Sequence, residues 1–129
     1  MTLRSLLIDR IAPLKDLSPR SVAMYESTLD RLRDHLGHEP TVDDLDDLTI
    51  AKFLRWRATT PQPGFSVISP ASLAKDSAHI RTLWNWCARK RMKRSDGELL
   101  EFPDYKRPNV PKPRPVAYTH DELQDRKST

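Results

Sequence analysis

Twice in this chain a serine followed by a proline opens a stretch in which apolar residues step by three and four, at Ser18-Pro19 and again at Ser69-Pro70. A serine hydroxyl accepts from the free backbone N–H groups of a first helical turn, and proline, its φ already fixed, suits the first helical position. After the first start come Val22, Tyr25, Leu29, Leu32 and Leu36, one apolar stripe that Gly37 closes. After the second come Leu73, Ser77, Ile80, Trp84 and Cys87, again at steps of four, three, four and three. Ser72, Lys75, His79, Trp86 and Lys90 gather on another side of that helix, so Trp86 needs its own cover.

The rest of the pattern is helical too. Leu3, Leu6, Leu7 and Ile11, with Arg10 as the polar member, predict a first helix that Pro13 ends or bends. "TVDDL", Thr41 to Leu45, reads as a short helical turn. Thr49 is the expected N-cap of a helix with Ile50, Phe53, Leu54 and Arg57 on one side. Pro61, Pro63 and Gly64 break it. Phe65, Val67 and Ile68 suit a short extended piece, but nothing else offers a strand to pair with it. The expectation is an all-α fold, a small four- to five-helix bundle.

A chain of 129 residues has room for one core. Five of its prolines fall between Pro103 and Pro115, so the folded unit is expected over residues 1–102 and a proline-rich basic linker over 103–117. Residues 103–129 are expected to be mostly unordered, because proline-rich polar chain buries too little to offset its ordering entropy.

Lys plus Arg number 22 against 18 Asp plus Glu, a net charge of +4 that decides nothing by itself. Its distribution is polarised: Asp43, Asp44, Asp46 and Asp47 crowd one segment, and Arg89, Lys90, Arg91, Lys93 and Arg94 another. The aspartates lack the spacing and central glycine of a calcium loop and read as helix-start charge. Cys87 stands alone, which excludes an internal disulfide and a multi-cysteine zinc site. His35, His38, His79 and His120 form no metal-ligand spacing, and the first two read as solvated residues beside the Gly37 stop. No nucleotide-binding or metalloprotease motif is present, so neither cofactor nor metal is expected. With no signal-like apolar stretch at its start, the chain is expected to be cytoplasmic and to have no membrane partner.

The order "LSPRSVAMYESTLDRL", "DDLTIAKFLRW", "ISPASLAKDSAHIRTLWNWCARK", a proline-rich tail and "YTHDEL" resembles the N-terminal core-binding domain of tyrosine recombinases, the phage-integrase family. The resemblance spans nearly the whole chain and implies a SAM-like helical bundle that binds double-stranded DNA during integration and recombination. It also implies a catalytic domain of the same parent chain as a partner, together with neighbouring recombinase protomers on DNA. Thr119-His120-Asp121-Glu122 fits the capping box that begins that catalytic domain, making 118–129 its stub. The family cuts DNA with a tyrosine assisted by arginines, a lysine and a His-x-x-Arg pair. No His-x-x-Arg occurs here, so this chain is expected not to be an enzyme.

In the family, the beginnings of the second and fourth helices meet the major groove. The corresponding positions are Ser18, Arg20, Ser21 and Met24 on one and Ala71, Ser72, Lys75 and His79 on the other. A helix start offers N–H groups and partial positive charge to phosphate, which agrees independently with that placement. Arg89, Lys90, Lys93 and Arg94 exceed what a helix dipole needs and are expected to follow the DNA backbone with Lys106, Arg107, Lys112 and Arg114. Trp86 is expected to pack under the linker or Leu99-Leu100-Phe102, with Tyr25 and Trp84 in the core. Two other readings stay open: a free-standing helical protein-interaction module, and an intact enzyme with Tyr105 or Tyr118 as nucleophile.

Overall fold

A computed structural model describes residues 1–61 and 68–108. The extended piece expected at Phe65 and Val67, and all expectations for residues 109–129, lie outside the described residues. Among the described residues the secondary structure is helical, and the only β pairings are the isolated bridges Thr2–Thr41 and Lys93–Leu99.

The first rod starts on Thr2, whose hydroxyl accepts from the Ser5 N–H, and runs as α1 (Leu3–Leu6), a π turn (Leu7–Ile11) and α2 (Ala12–Lys15). Pro13, expected to end or bend this helix, is the second residue of α2, directly after the π turn, and the rod continues past it only to Lys15. In the π turn the Ala12 N–H reaches back to the Leu7 carbonyl. That wider turn relieves the clash a proline ring makes with the carbonyl four residues earlier. The rod stops three residues later, where Asp16 takes a left-handed φ of 51° and the Leu17 N–H closes on the Ala12 carbonyl at 3.0 Å. Leu3, Leu6, Leu7 and Ile11 are buried, while Arg10 is exposed.

Helix α3 (Pro19–Leu36) begins on the Ser18 cap and ends at Gly37, whose φ of 85° lets its N–H meet the Arg33 carbonyl at 2.8 Å. A 3₁₀ turn (Val42–Asp44) follows, held by the Asp44 carboxylate accepting from the Thr41 N–H at 2.8 Å. Helix α4 (Asp47–Thr59) is capped by Asp46, which accepts from the Thr49 N–H at 3.2 Å. Thr49 was the expected cap. An aspartate caps at least as well as threonine and adds negative charge at the positive end of the dipole, so the earlier start wins.

Helix α5 (Pro70–Arg89) packs against both α3 and α4, and α3 also meets α1 and α4. The core is continuous, with Leu29, Leu32, Ile50, Phe53, Ile80, Leu83 and Trp84 almost wholly buried. His35, expected to be solvated, lies against Phe53 and Trp56 with ring centroids 5.8 and 5.2 Å away, and burial lowers its pKa below the ordinary histidine value. The two charge blocks are not segregated in space. The Ser95 N–H donates to the Asp43 carboxylate at 2.8 Å, and the Ser95 hydroxyl does so as well, which lowers that carboxyl's pKa.

The chain then turns at Gly97 (φ 91°) and runs back along α5. The Trp84 indole N–H donates to the Glu101 carbonyl at 2.6 Å, and farther down the helix Tyr105 is buried against Ser77. Part of the expected linker is therefore packed: a large ring with a hydroxyl partner contributes burial that the prolines around it cannot. The tail thus covers Trp84. Trp86 is buried beside Leu6, Pro13, Leu14 and Met92, while Leu99 and Phe102 remain exposed.

The Tyr105 hydroxyl lies 2.9 Å from Ser77 Oγ and donates to the Ser77 carbonyl at 3.2 Å. Tyr105→Phe, which keeps the ring and strands the Ser77 hydroxyl, is expected to cost about 1 kcal/mol in urea unfolding. An unchanged midpoint would mean that the hydrogen bonds of the Tyr105 hydroxyl add nothing to stability.

Candidate nucleic-acid interface

The tips of α3 and α5 are built alike. Ser18 Oγ accepts from the Ser21 N–H at 3.1 Å and donates to Ser21 Oγ at 3.1 Å. Ser69 Oγ does the same toward Ser72, with both distances 3.2 Å. One hydroxyl proton is spent inside each cap, so Ser21 and Ser72 keep theirs to donate outward. The N–H groups of Arg20 and Ala71, second in their helices, have no acceptor among the described residues. Each tip thus presents one N–H, one hydroxyl and the positive end of a helix dipole, the donor set that an oxyanion needs.

The charged side chains expected at these tips are exposed. Neither Arg20 nor Lys75 joins an ion pair among the described residues. Ser18, Arg20, Met24, Ala71, Ser72 and Lys75 lie at the surface, and Ser21 is half-buried. Past the tips the two helices border one cleft of about 220 Å³, with Met24, Ser27 and Arg31 of α3 facing Ser72, Lys75 and His79 of α5. Four of the expected contact residues, Met24, Ser72, Lys75 and His79, therefore share a single concavity.

His79 differs from a free surface contact. Its Nδ1 is 2.8 Å from Thr28 Oγ1 and its ring lies 4.6 Å from that of Tyr25. Burial lowers its pKa, opposed by Asp76 and aided by Arg31 and Lys75. At neutral pH it brings an imidazole to the cleft wall and no charge.

Beneath the cleft is a polar cluster that the sequence reading missed. The Asp76 carboxylate accepts from Arg57 Nε at 2.9 Å, and from Arg31 at 2.6 Å through its terminal nitrogen and 3.3 Å through Nε. Thr28 Oγ1 adds a hydrogen bond to Asp76 at 3.2 Å. The only signal was Arg57 on the apolar side of α4: an arginine placed there requires a carboxylate from a neighbouring element.

The basic run at the far end of α5 forms a separate region, since fourteen residues from Lys75 to Arg89 span about 21 Å of helix. Arg89 and Lys93 are exposed, and the Lys90 ammonium lies 5.7 Å from the Trp86 ring centre. Arg94, expected on the DNA path, is already occupied: its guanidinium donates to the Asp43 carbonyl at 3.0 Å and to the Leu45 carbonyl. It closes the end of the 3₁₀ turn, where free carbonyls attract a cation.

No group of His, Cys, Asp and Glu among the described residues could hold a metal ion, and no described helix is long and apolar enough to cross a membrane. No protein-family model, curated protein or solved structure matches this chain, so the recombinase resemblance stands on its residue pattern alone.

Proposed function

We propose that this chain is a helical module that binds double-stranded DNA, of the core-binding type that tyrosine recombinases carry ahead of their catalytic domain, serving integration or recombination in a parent protein. The observation that supports it is the pair of Ser-Pro tips, each with an unfilled N–H donor and an unpaired cation, Arg20 or Lys75, among the described residues, on two helices that past those tips share one cleft lined by Met24, Ser72, Lys75 and His79. Two like donor sets on neighbouring helices suit phosphates of one duplex, with Met24 and Ser72 in reach of the groove between them. In this reading Arg89, Lys90 and Lys93 add backbone contacts farther along.

Cleavage is no part of the proposal. Tyr105 is buried, its hydroxyl is tied to Ser77, burial raises its pKa, and Arg81 lies over its ring face at 4.3 Å. A phenol so placed cannot reach a phosphodiester.

The test is the affinity of the full chain for a 30-base-pair duplex, followed by fluorescence anisotropy across a series of KCl concentrations. With three or more phosphates neutralised, the log–log slope is expected to be steeper than about −2.7. Absent or salt-independent binding would leave the protein-interaction reading. A specific observation favours that second reading: a groove of about 830 Å³ between the first rod and the end of α5 joins Leu6, Pro13, Leu14, Trp86 and Met92 with Asp9, Arg10 and Lys90, and Leu14 in it is 68% exposed.

A further inference from the structure

The polar cluster under the cleft does not balance its charges. Asp76 is the one carboxylate lining the cleft, against the guanidiniums of Arg31 and Arg57 and the ammonium of Lys75. Arg57 is the telling member. Its side chain is only 6% exposed, its Nε is used on Asp76, and its two terminal nitrogens make no hydrogen bond among the described residues although the residue lines the cleft. Arg31, 33% exposed, spends Nε and one terminal nitrogen on Asp76 and leaves the other without a partner among the described residues. The terminal nitrogens of Arg57 are not sealed from solvent, so they remain donors for an acceptor that enters by the cleft, the open side of this cluster.

We propose that the cleft between α3 and α5 holds a seat for one phosphate-type oxyanion, formed by Arg31, Arg57 and Lys75, with Asp76 as the positioning residue that fixes both guanidiniums. The carboxylate takes part of each planar fork and so sets the direction in which the remaining N–H donors point. Lys75, exposed at the rim, supplies a mobile charge over the same space. The anion has two sources: a backbone phosphodiester of duplex DNA, which rests on the function proposed above, or a free phosphate group, which does not.

The full chain is titrated with inorganic phosphate at constant ionic strength, while NMR follows the Nε–H signals of Arg31 and Arg57 and the Lys75 amide. A saturable shift is expected, its midpoint weakened about fivefold or more by Arg31→Gln and by Lys75→Gln. Lys15→Gln, the same charge change on α2 at a residue that does not line the cleft, should leave the midpoint where it was. Lys75 is exposed and unpaired, so its variant tests the seat even if Arg31→Gln unfolds the chain.

In a second arm, the phosphates of a bound duplex are replaced singly by neutral methylphosphonates. If the seat takes backbone phosphate, one position costs affinity in the wild type and costs nothing further in Lys75→Gln. Saturable phosphate binding with no such position, or with no duplex binding, keeps the seat and assigns it to a free phosphate group. A linear shift, or one that Lys15→Gln weakens as much, overturns the seat whatever the duplex does.

Discussion

Replacing Asp76 by alanine is expected to lower the unfolding free energy by about 3–5 kcal/mol, the largest single-residue loss on the polar side of this fold. Asp76 is 2% exposed and joins α5 to Arg57 of α4 and Arg31 of α3, so it ties together the three helices that form the cleft. Without it Arg57 keeps its charge on a side chain only 6% exposed, with no carboxylate partner among the described residues. Arg31 suffers less, because a side chain one-third exposed can turn outward. The contrast is Asp30, whose 2.6 Å ion pair with Arg4 is as short as that of Asp76 with Arg31 but whose side chain is 48% exposed. Asp30→Ala is expected to cost less than about 1 kcal/mol, because solvent screens an exposed pair. Urea unfolding of both variants gives the comparison, and equal losses would show that burial is not what makes Asp76 matter.

Arg20→Glu combined with Lys75→Glu is expected to reduce duplex affinity about a hundredfold or more at low salt. Each removes a charge-assisted phosphate contact of about 1–3 kcal/mol, and each reversal adds repulsion from neighbouring phosphates. The log–log salt slope should become shallower by about 2, one unit per lost phosphate. Stability should stay nearly constant, since neither side chain is paired or buried among the described residues. An affinity loss that appears only with a lowered unfolding midpoint would trace the effect to the fold rather than to the contacts.

The helices were legible because their starts and stops are local chemistry. Ser18, Ser69 and Gly37 do in the structure what serine before proline, and glycine after a stripe, do by their own geometry. The errors came where a non-local partner decided the outcome. Arg94 turns inward because the carbonyls of Asp43 and Leu45 stand in front of it. Tyr105 folds back because Ser77, far away in sequence, offers it a hydrogen bond at a buried surface.

The candidate site divides the same way. The tip residues Ser18, Arg20, Ala71 and Ser72 could be read from their positions in each helix, as could the exposure of Lys75. That the two helices would share a cleft, and that its floor would hold Arg31, Arg57 and Asp76, depends on how three helices cross. Helical spacing within one element carries no such information.

The central claim is that the tips of α3 and α5 meet one duplex together, and amide chemical-shift mapping of the full chain on duplex addition tests it most directly. Shifts concentrated in both Ser18–Ser21 and Ser69–Lys75, moving with a common midpoint, are the expected result. Shifts confined to one tip, or centred instead on the groove around Leu14 and Trp86, would contradict it.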